Sequence, residues 1–347
     1  MRPAPDGNVS VVIPNWNGLE FLRIVLPSLE TQTDGDFSVT VVDNGSEDGS
    51  VEWLRREWPH VTVVALPENL GFAPAVNAGI RASGGEFVAL LNNDLELDPR
   101  WLEEMVATLR AHPDAASAGG KMLNYGRRDL IDDAGNEFSW YGVGFARGKG
   151  ERDNGRFDQP ARVFAACAGA ALYRRAALDE VGLMDEDFFA YAEDLDWGFR
   201  ARLAGYDCWY QPAAVSYHMG GATSARSGDL ARYLTFRNSL ELVMKNFPGR
   251  ALARHAHRLT LAVLATLAMG AAARSTAEVR ALLSALRRSA GTLRKRRAVQ
   301  RSRRAPLADL DAVIVDYFPT DRRLFRFVDD RLMRSRGGEN ARTPGVR

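Results

Sequence analysis

The sequence predicts an α/β fold built on a doubly wound, mostly parallel sheet flanked by helices, with an α-helical extension at the C-terminus. Three observations carry this prediction. Short apolar runs at 9–14, 39–43, 61–66 and 86–91 alternate with helical patterns at 19–32, 50–58, 72–82 and 99–111, the order expected of βα repeats. Three of the runs stop on polar clusters: Asn15-Trp16-Asn17-Gly18, Asp43-Asn44-Gly45-Ser46 and Asn92-Asn93-Asp94. The chain also changes character after residue 250, where residues 1–250 carry a formal charge of −12 and residues 251–347 one of +13.

The elements follow in order. Val9-Ser10-Val11-Val12-Ile13-Pro14 is a first strand, and residues 86–91 form a strand after the Gly84-Gly85 break. Pro99 is placed at the first position of the 99–111 helix with Asp98 as its cap. Residues 115–122 read as a fifth strand. Residues 124–162, rich in Gly, Arg and Asp, read as a long loop or a short hairpin over a site. The small apolar stretch 163–173 must pack tightly. A helix spans 193–203, with Leu195, Phe199 and Leu203 at four-residue spacing, Asp196 and Arg200 as an i,i+4 pair, and Gly205 at its stop. Ligands of open α/β sheets bind outside the carboxyl ends of the strands. Asp94 therefore stands where a nucleotide or its metal would sit, although an Asp there also serves as a turn or cap residue.

Composition bounds the class. At 46% hydrophobic and 26% charged residues the chain is ordinary globular protein. Cys167 and Cys208 make no disulfide framework, and residues 1–8 hold no apolar segment of a secretory signal, so a reduced, cytoplasmic setting is expected. Between Arg274 and Arg304 stand eleven basic residues and one acid, Glu278. That block reads as contact with an anionic membrane surface or as a solvated face. Nucleic acid is not an expected partner, because the large domain is acidic and lacks a recognition motif. Leu259–Ala273 is a fifteen-residue run without a charge, short of the about 20 residues a span needs. It suits a helix lying on a membrane, or alternatively a buried core helix. Residues 335–347 read as disordered.

Seven motifs in order carry a family resemblance: 11–17, 41–46, Asn69-Leu70-Gly71-Phe72-Ala73 with Asn77, Leu91-Asn92-Asn93-Asp94, Gly169-Ala170, Glu193-Asp194-Leu195-Asp196 and His218-Met219-Gly220-Gly221. The chain resembles the inverting glycosyltransferases of family 2, with the GT-A fold, and within them bacterial rhamnosyltransferases and similar cell-surface sugar transferases. The resemblance covers roughly residues 8–250. It implies a nucleotide-binding half over about 8–122, an acceptor-binding half over 123–250, and a basic, helical, membrane-associating region over 251–347. It implies transfer of a sugar, foremost L-rhamnose from dTDP-rhamnose, to a lipid-linked or cell-envelope glycan at the inner face of the cell membrane. A UDP-sugar donor, or a nucleotide-sugar binding protein of the same fold, are the alternatives.

The resemblance also distributes roles. Asp43 would accept the N3–H of uracil or thymine, Trp16 would offer an aromatic face unless it is core, and Pro14 would shape the strand end. Asn17, Asn69, Gly71, Asn77 and Asn93 would line the donor cleft. Asp94 would hold Mg²⁺ or Mn²⁺ against the diphosphate, with His218 completing the metal shell. The family's Asp-x-Asp has an amide, Asn92, in place of its first acid. Asp194 would be the general base, with Glu193 and Asp196 positioning the acceptor or tuning that base. Gly169-Ala170 would let the acceptor approach the backbone. Arg237 would reach the diphosphate or acceptor, or serve as a cap or ion-pair partner. The chain lacks the Gln-x-x-Arg-Trp signature and multiple spans of processive synthases. It also lacks a Gly-x-Gly-x-x-Gly after the first strand, as a nicotinamide enzyme would need; Gly142–Gly148 has the wrong spacing.

Overall fold

The four leading strands, β1 (Val9–Asn15), β2 (Phe37–Asn44), β3 (Thr62–Leu66) and β4 (Phe87–Leu91), pair in parallel in the spatial order β4-β1-β2-β3. The computed structural model describes residues 8–220 and 228–318. Helices α1 (Leu19–Glu30), α2 (Ser50–Glu57) and α3 (Phe72–Arg81) make the crossovers. β4 is apolar and buried throughout, as a strand covered on both faces must be.

Next come β5 (Leu95–Leu97), α4 (Trp101–Ala111) and β6 (Ala115–Asn124). The helix begins at Trp101, two residues later than Pro99. The Asp98 carboxylate accepts the Arg100 N–H (3.1 Å) and its carbonyl the Trp101 N–H (3.0 Å), so Asp98-Pro99 is a turn that precedes the helix. Residues 124–162 are more ordered than a loop. They supply β7 (Ile131–Asp133), β8 (Asn136–Ser139), β9 (Gly144–Ala146) and β10 (Ala161–Arg162). Each is too short to show periodicity.

β11 (Ala170–Arg174) enters the sheet antiparallel between β4 and β6. After α5 (Arg175–Val181) and α6 (Glu193–Leu203), β12 (Asp207–His218) runs parallel to β6. The large sheet is ordered β10-β12-β6-β11-β4-β1-β2-β3, with β5 on β12 and β7 on β6. The small residues of 163–173 have a steric cause. A Cβ added to Gly198 of α6 would lie 2.5 Å from Ala165 Cβ, so helix and segment meet at contact distance only because both are small.

The C-terminal part packs back on the preceding residues. It comprises α7 (Gly228–Asn246), α8 (Gly249–Ala272), α9 (Ala277–Arg301), α10 (Leu307–Asp311) and β13 (Ile314–Val315), which pairs with β8. Phe138, Phe164, Phe188 and Phe199 share one aromatic core with Phe247, Leu310 and Ile314. The 259–273 run lies in α8 up to Ala272, with Ala273 as the residue that ends the helix. Leu259 touches Gly142, whereas Leu261 and Leu264 are exposed. No helix among the described residues is long and apolar enough to cross a membrane. Gly221 and the 335–347 segment lie outside the described residues.

Candidate active site

The carboxyl ends of β1, β2 and β4 are wired together by amides. Asn15 Nδ2 donates to Asp43 Oδ1 (3.3 Å), and Asn93 Nδ2 donates to Asn15 Oδ1 (2.7 Å). Gly18 makes room for this pair, since a Cβ there would lie 2.0 Å from Asn93 Nδ2. Asp43 Oδ2 accepts the Ser46 N–H at 2.9 Å. Trp16 is 42% exposed beside Asp43's loop, so its ring is not core; Pro14 is half-buried at the strand end. Asn17, at φ +49°, bridges the first two loops, its N–H to Ser46 Oγ (2.8 Å) and its Oδ1 to the Glu47 N–H (2.8 Å).

Two of the expected cleft amides are engaged in holding loops. Asn69 Oδ1 accepts from Asn44 Nδ2 and the Gly71 N–H, both at 3.0 Å. Asn77 is buried and grips the Met184 backbone at both carbonyl and N–H (2.9 and 3.0 Å). Gly71, at φ +99°, admits Phe189: a Cβ would sit 2.6 Å from that ring and carbonyl. The Phe189 carbonyl accepts the N–H of Phe72 (2.6 Å), satisfying a free donor at the start of α3.

Asp94 and His218 meet because β5 pairs antiparallel with the end of β12, setting Leu95 opposite His218. His218 Nε2 lies 3.3 Å from Asp94 Oδ2, and its Nδ1 lies 2.7 Å from Asp132 Oδ2. Lys149 Nζ stands 2.9 Å from the other oxygen of Asp132. Burial alone would lower the imidazole, but Asp132 and Asp94 outweigh it and push it up to about 9. The Asp132 carboxyl is held below the usual range against its burial by His218 and Lys149. Asp132 escaped the sequence reading because its only signal was a pair of acids after Ile131. Among the described residues no three His, Cys, Asp or Glu side chains form a ready metal cage. The Asp94–His218 pair nonetheless fits two ligands of one octahedral ion, which stand about 3 Å apart.

The segment that leads into Glu193 and Asp194 is strained. Phe189, Tyr191 and Ala192, immediately before α6, all have positive φ (65°, 71°, 67°). Such backbone persists only where its surroundings over-determine it. Here Asn238 of α7, fully buried, donates to the carbonyls of Phe188, Ala190 and Tyr191 at 2.7–3.0 Å. Arg237 is buried beside it and donates to the Asp187 and Phe188 carbonyls (3.1 and 3.0 Å). Asp196 is also interior, fully buried between Arg200, Lys245 and Asn246.

Glu193 and Asp194 emerge from this support with unlike surroundings. Asp194 Oδ2 accepts from Asn136 Nδ2 (3.1 Å) and the Ala168 N–H (3.2 Å), and Oδ1 accepts the Leu195 N–H (2.7 Å). Glu193 is buried, and its Oε2 has no partner. Burial, then the neighbouring Asp194, pushes Glu193 up to about 8; burial also raises Asp194. Of the pair, Asp194 has the donors to carry the charge, while Glu193 Oε2 has none. Burial likewise pushes Asp133 up to about 7, with Asp132 and Asp194 adding to it. The next residue after Ala168 closes the site: Gly169 accepts the Asn92 N–H at 2.7 Å, and Ala170 follows it into β11. The Asp94 loop and the Asp194 carboxylate thus hang from adjacent residues of one segment.

This arrangement has counterparts. The family model described as Glycosyl transferase family 2 matches residues 10–182. The chain is 30% identical over 267 residues to the uncharacterized protein y4gI of Sinorhizobium fredii, covering 74% of this chain and 29% of that protein. It is 27% identical over 237 residues to the N-acetylglucosaminyl-diphospho-decaprenol L-rhamnosyltransferase of Mycobacterium tuberculosis, covering 62% and 77%. The fold is similar to that of a mannosyltransferase from Pyrobaculum calidifontis in complex with GDP-Man and Mn²⁺ (TM-score 0.54, 18% identity, 86% of this chain and 82% of that one). It is also similar to GalNAc-T7 with UDP, GalNAc and Mn²⁺ (TM-score 0.55, 17% identity, 69% and 48%). With the strand-end wiring and the ordered motifs, these likenesses identify the chain as a glycosyltransferase of family 2, with the GT-A fold.

Proposed function

We propose that the protein transfers a sugar from a nucleotide-diphosphate donor to a glycan acceptor with inversion at the anomeric carbon. One observation carries the reading: Ala168 and Gly169 join the Asp94 loop to the Asp194 carboxylate, so a group for the leaving diphosphate and a base for the attacking hydroxyl flank one space. Asp43 and Trp16 bind the nucleobase, and Asn15, Asn17 and Asn93 keep the strand ends that receive the nucleotide in register. Asn69, Gly71 and Asn77 shape that cleft through the loops they hold. Asp94 and His218 hold a divalent cation, Mg²⁺ or Mn²⁺, which when bound offsets charge on the departing diphosphate. Asp132 fixes the His218 ring with Nε2 toward Asp94, the usual outer-shell role of a carboxylate.

Asp194 takes the acceptor O–H proton as its oxygen bonds to the anomeric carbon and the bond to the diphosphate oxygen breaks. The three donors on Asp194, against none on Glu193 Oε2, favour the charge on Asp194. Gly169 and Ala170 let the acceptor come close to the backbone, while Asp196 and Arg237 position the segment that carries the base. L-rhamnose from dTDP-rhamnose is the favoured donor, and a lipid-linked or cell-envelope glycan the acceptor, on the likeness to the mycobacterial rhamnosyltransferase. A UDP-sugar is the second reading, because GalNAc-T7 is similar in fold and holds UDP. The enzyme works at an anionic membrane surface on the cytoplasmic side. Nucleotide release from a panel of dTDP-, UDP- and GDP-sugars, with and without Mn²⁺, tests the reading. Release from none of them would refute it.

A further inference from the structure

The outward side of α9 carries the most exposed large hydrophobic residues found on one element among the described residues. Six of the ten large hydrophobic residues exposed among the described residues lie on α8 and α9. On α9, Val279, Leu283, Leu286 and Leu293 are 51%, 47%, 57% and 48% exposed, and exposed Ala290 stands between the last two. Their spacing is i, i+4, i+7, i+11, i+14, which on a helix is one continuous stripe. Beside it, at seven-residue intervals, runs a row of exposed arginines: Arg280, Arg287, Arg294 and Arg301.

The inward side of the same helix is already satisfied. Arg288 donates to Glu241, Lys295 reaches Asp185 and Asp187, and Arg296 donates to the Met244 carbonyl. The basic block thus divides, one part docking the helix on the catalytic half. Arg287, Arg294 and Arg301 have no acidic partner among the described residues. No acid lies on α8, and the one acid of α9, Glu278, is buried against Arg232.

Resting on the membrane reading above, we propose that the Val279–Leu293 stripe and its arginine row dock on an anionic phospholipid surface. The stripe enters the headgroup region, and the arginines meet the lipid phosphates. Charge selects this occupant. A second copy of the chain would bring arginine rows together with no acid between them. A lipid surface supplies both an apolar phase and negative charge, the combination that holds interfacial amphipathic helices. The large exposed hydrophobics of α8 are Leu261 and Leu264, while Leu259 lies against Gly142.

Co-sedimentation of the full chain with phosphatidylglycerol-containing vesicles and with pure phosphatidylcholine vesicles tests the proposal, alongside L283Q/L286Q, R287E/R294E and L261Q/L264Q. The expected result is binding that favours phosphatidylglycerol and is only partly weakened by salt. L283Q/L286Q should lose about tenfold per leucine, and R287E/R294E should lose the lipid preference. Both should keep wild-type nucleotide affinity and melting temperature. The proposal is overturned if the full chain stays in the supernatant at low salt, if L283Q/L286Q sediments like wild type, or if only L261Q/L264Q releases it. Light scattering that shows a dimer dissolved by L283Q/L286Q would assign the stripe to a second copy instead. Nucleotide release assayed without vesicles separates a failure of the donor reading from a failure of this one.

Discussion

Two regions make up the proposed site, a donor side and a base side, and they are held in opposite ways. The donor side is local: Asn15, Asp43 and Asn93 sit at the ends of adjacent strands, and their positions follow from the register of β1, β2 and β4. The base side is remote. Three positive-φ residues precede Glu193, and what holds their carbonyls comes from α7, with Asn238 about 50 residues away, while Lys295 of α9 holds Asp185 and Asp187 just ahead of them. A sheet positions side chains through its own ladder, so the donor side needs little outside help. A strained turn has no ladder, and each of its carbonyls must find a donor elsewhere.

The largest expected break is on the base side. Asp194→Asn should lower turnover about 10²–10⁴-fold, with donor affinity by calorimetry unchanged. Because burial raises Asp194, wild-type activity should fall as pH drops through a midpoint above the ordinary carboxylate value of about 4. A midpoint at or below that value would count against Asp194 as the base. On the donor side, Asp94→Ala should cost about 10²–10³-fold, and excess chelator should reproduce the loss. Mn²⁺ binding followed by electron paramagnetic resonance should weaken in the same variant; unchanged binding would remove Asp94 from the metal.

The comparison sharpens with variants that touch no substrate. Asn238→Ala removes the side-chain donor to the Ala190 and Tyr191 carbonyls, while Phe188 keeps Arg237, and should cost about 3 kcal/mol of stability. It should lower kcat while leaving nucleotide affinity near wild type; equal damage to both would mean that the two regions are one unit. The smallest effect is pH-linked. Burial would raise the Asp185 carboxyl, but Lys245 and Lys295 outweigh it and hold it below the ordinary range. A depressed folded pKa contributes stability that is present above about 4 and lost as pH falls through the folded value. Asp185→Asn should therefore melt earlier than wild type at neutral pH, by about 2 kcal/mol. The gap should narrow below about pH 4. A gap independent of pH would show that the two lysines act by packing alone.

The sequence by itself determined the βα repeat and the polar strand ends, because a strand buried on both faces must be apolar along its length and turns polar where it leaves the sheet. It also determined the 193–203 helix, whose bounds match α6, from period and stop signal. Only the tertiary structure decided which polar residues face the cleft. Asn77, Asp196 and Arg237 have the composition of ligands, yet they are buried and bonded to distant backbone or to buried charges. Asp132, Asp133 and Asn136 lay in a stretch without period and joined the proposed site once β7 paired with β6 and Asn136 of β8 met Ala165 and Asp194. The basic tail read as one surface, but its arginines and lysines divide between Asp185, Asp187 and Glu241 on one side and solvent on the other. Periodicity records which face of an element is apolar. It does not record which distant element will supply the partner of a charge, because that depends on chain closure over tens of residues.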